Sequence, residues 1–188
     1  MAIRETTYFE SRGPENTDET LRLAKKRADE LGIRQIVVAS ATGETGEKTV
    51  GLFKGSSVVV VAGVVGFKQK NEVRLRDNRR LAIEEGGGKI LLAGHAFGML
   101  GRAVRNAFGA MQIDEIIANV LRIFGPGVKV CCEVACMAAD AGLVRAGEET
   151  IAIAGSAHGA DAAVVLKPSN THTFFDTRVM EIICKPRE

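Results

Sequence analysis

Apolar Leu21, Ala24, Ala28 and Leu31 recur at helical spacing after Asn16, with Asp18 and Glu19 in the first turn and Gly32 beyond the last. The pattern predicts an amphipathic helix over 17–31, its acids at the positive end of the dipole and a glycine at its stop. Segment 35–40 follows, β-branched and without a charge. Such runs form strands buried on both faces of a parallel sheet. Further runs at 57–65, 89–93, 150–154 and 162–167 alternate, for the most part, with helical patterns. That alternation predicts an α/β fold of parallel βαβ units with right-handed crossovers.

Between the third and fourth of these runs the chain reads as almost wholly helical. Ile113, Ile116, Ile117, Val120, Leu121 and Phe124 mark one helical face until Gly125-Pro126 ends it. A helix over 128–143 is apolar nearly all round, with Lys129, Glu133 and Asp140 its only charges, and is expected inside the protein. The last run, 179–184, is joined to the one before it by about a dozen residues, near the lower limit for a parallel crossover. It is expected at a sheet edge, with antiparallel pairing open to it.

The length of 188 residues suits one domain, 1–188. With 25 basic and 23 acidic side chains the net charge is +2, which supplies no field to gather nucleic acid or an anionic membrane. The basic groups Arg74, Arg76, Arg79, Arg80 and Arg102, Arg105 read as solvated helix faces. One tyrosine and no tryptophan leave them without the stacking partners that nucleic-acid binding uses. The longest apolar run, 58–65, is broken by Gly63 and is far shorter than the roughly 20 residues a bilayer requires. Polar and acidic residues over 1–10 stand where a secretory signal would need an apolar stretch, so a cytoplasmic location is expected. Cys131, Cys132 and Cys136 are too close together for a disulfide framework and lie on an apolar helix with no histidine nearby. They are expected to be reduced core residues, with no metal bound.

Candidate chemistry gathers in loops that follow the expected strands, where open parallel sheets collect ligands. In Ser40-Ala41-Thr42-Gly43-Glu44-Thr45-Gly46 the hydroxyls of Ser40, Thr42 and Thr45 are donors, and Gly43 and Gly46 allow close backbone approach. A helix starting near Thr45 would add free amides, a donor set suited to a phosphate. The spacing differs from a Walker A loop, because Glu47 separates Gly46 from Lys48. The plain alternative is a Gly-Ser-Thr turn that caps a helix. A second loop, Gly155-Ser156-Ala157-His158-Gly159-Ala160-Asp161, would face the first if their strands are neighbours. His158 would then donate to a phosphate or ring carbonyl, or else pin the turn, and Asp161 would bind the ligand or cap local backbone. Gly94 and His95, with Phe97 as a flat wall or a core aromatic, follow the third strand in the same orientation.

The segments Ile36-Val37-Val38-Ala39-Ser40 with Thr42-Gly43, Phe124-Gly125-Pro126-Gly127-Val128-Lys129-Val130, Met137-Ala138-Ala139-Asp140-Ala141-Gly142 and Glu181-Ile182-Ile183-Cys184-Lys185-Pro186-Arg187 resemble the stand-alone relatives of the pyruvate kinase C-terminal domain. The resemblance runs over nearly the whole chain. It implies a three-layer, mostly parallel sheet of five or six strands with helices on both faces, and subunit contacts that would make a homo-oligomer. It also implies that Ser40, Thr42, Gly43 and Thr45 grip a phosphate, while Ala41 and Glu44 depart from positions that are often basic. His158 has no counterpart in the second loop. For the stand-alone relatives the implied ligand is flavin mononucleotide (FMN), with a sugar phosphate or another nucleotide satisfying the same donors. No segment resembles the kinase catalytic barrel, so pyruvate kinase activity is not expected. A binding or sensing module and a small flavin-dependent oxidoreductase both remain open.

Overall fold

The computed structural model describes residues 3–187. Strands β1 (Thr7–Phe9), β2 (Gln35–Ala39), β3 (Ser57–Val61), β4 (Lys89–Leu91), β5 (Thr150–Ala154), β6 (Ala162–Lys167) and β7 (Arg178–Pro186) form one sheet. Its order is β1-β7-β6-β5-β2-β3-β4. Helices α1 (Thr17–Leu31), α2 (Glu44–Leu52), α3 (Asp77–Glu85), α4 (Leu100–Phe108), α5 (Ile113–Arg122) and α6 (Pro126–Asp140) complete the fold.

Strand alternation decides which helices cover which face. Ile36 and Val38 of β2, with Val58, Val60, Ile151 and Ile153, pack on Leu21 and Ala28 of α1, Val50 of α2 and Ile83 of α3. Val37, Val59 and Val61 point the other way, onto Val134, Met137 and Ala138 of α6. Ala152, Ala154 and Val164 continue that second face against Val128, Cys131 and Ala135. The result is an α/β sheet with helices on both faces. Arg27 of α1 ties its helix to β7, donating from Nε and Nη2 to the two carboxylate oxygens of Glu181 at 2.7 and 2.6 Å. That bidentate partner holds the Glu181 carboxyl below its usual range.

The sheet is mostly parallel, as expected, but has seven strands where five or six were implied, because the short β1 adds to its edge. β2 pairs in parallel with β3 and β5, β3 with β4, and β1 with β7. β6, however, is antiparallel to both β5 and β7. The connection over 155–161 is too short to carry a crossover helix, so β5 and β6 form a hairpin. β7 is antiparallel to β6, yet it is not at the edge, because β1 pairs outside it with Thr7 opposite Cys184. A three-residue strand with polar neighbours has too little periodicity to be seen in advance.

The stripe on α5 also differs from expectation. Ile113 is 71% exposed and Val120 55%, while the helix docks through Ala118 and Leu121 against Phe97, Cys132 and Cys136. Periodicity marks an apolar face without saying what covers it. The expected helix over 128–143 is α6, buried almost throughout. Its cysteines are free and buried. Cys131 donates to the Ala152 carbonyl at 3.3 Å, and burial pushes the Cys132 thiol up to about 12. Among the described residues no helix is long and apolar enough to cross a membrane.

Candidate functional site

Because β2 and β5 are neighbouring parallel strands, the segments that follow them leave the sheet at the same end. A cavity of about 420 Å³ opens there, within the range of small-molecule sites. Ser40, Ala41, Thr42 and Thr45 line it from the β2–α2 turn. Gly155, Ser156, His158 and Gly159 line it from the β5–β6 connection, and His95 from the segment after β4. The structure therefore brings together loops that lie more than a hundred residues apart in sequence.

Four expected site residues are not among those lining the cavity: Gly43, Gly46, Gly94 and Asp161. Gly43 caps α2 at φ +91°, and a Cβ there would lie 2.6 Å from Cβ of Arg79 and 2.7 Å from Cδ1 of Leu75. A Cβ on Gly46 would lie 2.6 Å from Val60 Cγ1. Both glycines thus let α2 pack against α3 and the sheet; close approach by a ligand is not what requires them. Gly94 sits against Met99, with its would-be Cβ 3.2 Å from Met99 Cγ. Asp161 is fully buried and accepts from the Ser156 N–H at 3.1 and 3.2 Å, from Ser156 Oγ at 3.2 Å and from the Gly13 N–H at 3.4 Å. It braces the second loop from behind.

Ser40 has two tasks. Its Oγ accepts the Gly46 N–H at 3.0 Å, and its carbonyl accepts the Gly43 N–H at 3.2 Å. The hydroxyl hydrogen is still available for donation. Gly46 is thereby capped, while the amides of Glu44 and Thr45, in the same first turn, have no acceptor within the helix. They sit at the positive end of the α2 dipole.

The charges around the cavity were not legible as a group. Arg74, Arg102, Arg122 and Lys129 line it, and Glu133 is the one carboxylate among the lining residues. Arg74 and Arg102 are thus not simply solvated: segment 62–76 and α4 border the cavity and bring them to it. Arg102 lies 5.0 Å from the centroid of Phe67, which stacks on His95 at 5.0 Å and an interplanar angle of 6°. Its Nε is a buried donor without an acceptor among the described residues.

Beneath this layer lies a buried ion pair. Lys129 Nζ donates to Glu133 Oε2 at 2.5 Å, one helical turn away on α6, with side-chain exposures of 6% and 3%. The Phe97 N–H donates to the other carboxylate oxygen at 3.0 Å, and His95 Nδ1 stands 3.9 Å from Oε2. Phe97 itself is core, edge-on to Phe174. Burial lowers the Lys129 pKa against the pull of Glu133, with Arg122 and Arg102 adding to the lowering. Burial likewise lowers that of His95, favouring the neutral imidazole, although Glu133 opposes this. The available signal was two opposite charges at i and i+4 on an otherwise apolar helix, because buried charge is expensive unless paired.

His158 is exposed and lines the cavity, whereas His172 is exposed and does not line it. Among the described residues no group of three or more His, Cys, Asp or Glu side chains is arranged to hold a metal ion. Compared with known protein families, the chain matches no family model.

Proposed function

We propose that the cavity binds a phosphorylated small molecule, with the phosphate in the turn of Ser40, Thr42 and Thr45, and that FMN is the ligand to test first. The observation that carries the reading is a cavity with four cations and one carboxylate that also holds the first turn of a helix. Dipole, hydroxyls and cations all favour an anion at that end. The flat surface of stacked His95 and Phe67 suits a planar ring. The resemblance of its sequence segments to the stand-alone pyruvate kinase C-terminal domains implies the same class of ligand, and the proposed role is binding without phosphoryl transfer. A sugar phosphate is the second reading, favoured by the buried Lys129–Glu133 pair, whose polar groups suit a carbonyl or hydroxyls better than an apolar ring edge.

Titration followed by flavin fluorescence tests the first reading. FMN should bind at least about tenfold more tightly than riboflavin, a difference of about 1.4 kcal/mol carried by the phosphate. Equal affinities would remove the phosphate site, and no binding of either flavin would remove FMN.

A further inference from the structure

We propose that Lys129 forms an imine with the carbonyl group of a phosphorylated aldehyde or ketone held in this cavity, and that Glu133 relays the protons. This deepens the sugar-phosphate reading and rests on its phosphate site.

The placement of the pair is the first argument. Lys129 and Glu133 lie in the buried part of α6, among Val128, Cys131, Cys132 and Val134, whereas its third charge, Asp140, is exposed at the helix end. A buried ion pair contributes little net stability compared with apolar residues of similar volume. Net stability alone therefore does not account for the pair, and both side chains border the cavity. Residue type is the second argument. A guanidinium makes the better structural partner for a buried carboxylate, whereas an amine that loses its proton on burial is a nucleophile. The third is orientation. Glu133 Oε1 is held by the Phe97 N–H, so Oε2 is aimed at the Lys129 nitrogen independently of the lysine's own charge. Burial and the neighbouring Arg102 and Arg122 lower the free energy of removing the ammonium proton.

The step balances without an oxidant or reductant. Lys129 passes a proton to Glu133, and its lone pair attacks the carbonyl carbon to form the C–N bond. The π electrons move to oxygen, which takes a proton from nitrogen and gives a carbinolamine. Glu133 returns its proton to that hydroxyl, which departs as water and leaves an iminium on Lys129. One ammonium and one carbonyl have become one iminium and one water.

The test uses the intact wild-type protein with pyridoxal 5′-phosphate or pyridoxal, each with cyanoborohydride, followed by peptide mass mapping. The reduced adduct should appear on Lys129 at least about tenfold faster than on exposed Lys48 or Lys89, and about tenfold faster with the phosphorylated probe. Inorganic phosphate should slow it. Glu133→Gln should slow labelling of Lys129 and leave that of Lys48 unchanged, and Lys129→Arg should abolish the adduct at this position. Adducts confined to exposed lysines of the wild-type protein would overturn the imine, whatever the variants do. The phosphate site would then still stand if FMN binds more tightly than riboflavin. Labelling of Lys129 at equal rates with both probes, insensitive to phosphate, would overturn the phosphate anchor and leave the imine chemistry alone.

Discussion

The turn after β2 and the connection after β5 are alike in composition, both mixing serine, glycine and alanine, and they stand side by side at one end of the sheet. They differ in what lies behind them. The first runs into α2 and presents the positive end of a helix dipole. The second runs into an antiparallel strand, and the buried Asp161 carboxylate takes up its Ser156 amide and hydroxyl. Donors that would serve a phosphate in one loop are thus spent on a protein carboxylate in the other. Composition identified both as candidate anion sites; the element that follows, helix or hairpin, separates them.

The largest effect expected from breaking this contrast is that of Asp161→Ala. It leaves the Ser156 and Gly13 donors without their acceptor and should destabilise the fold by about 2–3 kcal/mol, read as a lower denaturant midpoint at unchanged m-value. Affinity for a phosphorylated ligand should survive wherever the variant is folded. Ser40→Ala tests the other loop and should do both things at once. Loss of the Gly46 acceptor should cost about 1 kcal/mol of stability, and calorimetry should show the preference for FMN over riboflavin reduced. If Asp161→Ala rather than Ser40→Ala removed the phosphate preference, the two roles would be exchanged.

A smaller effect concerns His95, which lines the same cavity as both loops. Its folded-state pKa is lowered from 6.5, so between the folded value and 6.5 the unfolded chain binds the extra proton. Stability from this group is therefore fully present above pH 6.5 and is lost as the pH falls through the folded value. Thermal melts across that interval should show a shallower acid-side decline in His95→Gln than in the wild-type protein. Least of all is expected from His158→Ala. Its side chain is exposed at the cavity, so stability should stay within about 0.5 kcal/mol of wild type. A larger loss would show that the second loop depends on His158 as well as on Asp161.

Much of the fold was legible because its signals are local. The helix α1 keeps its expected span, from Asn16 at its start to Gly32 in the left-handed conformation at its end. β2, β5 and β6 are buried runs whose expected spans hold to within a residue. Strands expected over 57–65 and 89–93 stop earlier, at Val61 and Leu91, and after β3 the apolar run continues through Ala62, Gly63 and Val64 into cavity lining. At the site, the two loops were legible from their position after buried strands. Lys129, Glu133, Arg74 and Arg102 were not, since each has an ordinary solvent-facing or helix-pairing explanation until the sheet end is assembled.

The sequence by itself determined the strand and helix types, the apolar enclosure of α6 and the two serine–glycine loops, because periodicity, capping residues and turn chemistry act over a few residues. Only the tertiary structure decided that β6 runs against β5, that β1 pairs outside β7, and that most of the apolar stripe of α5 is exposed while Leu121 docks. It alone converted Gly43 and Gly46 from ligand-facing to packing residues and set His95, Lys129 and Glu133 around one cavity. Pairing direction, the surface against which a side chain packs and the desolvation of a charge depend on neighbours distant in the chain, and no local pattern contains them.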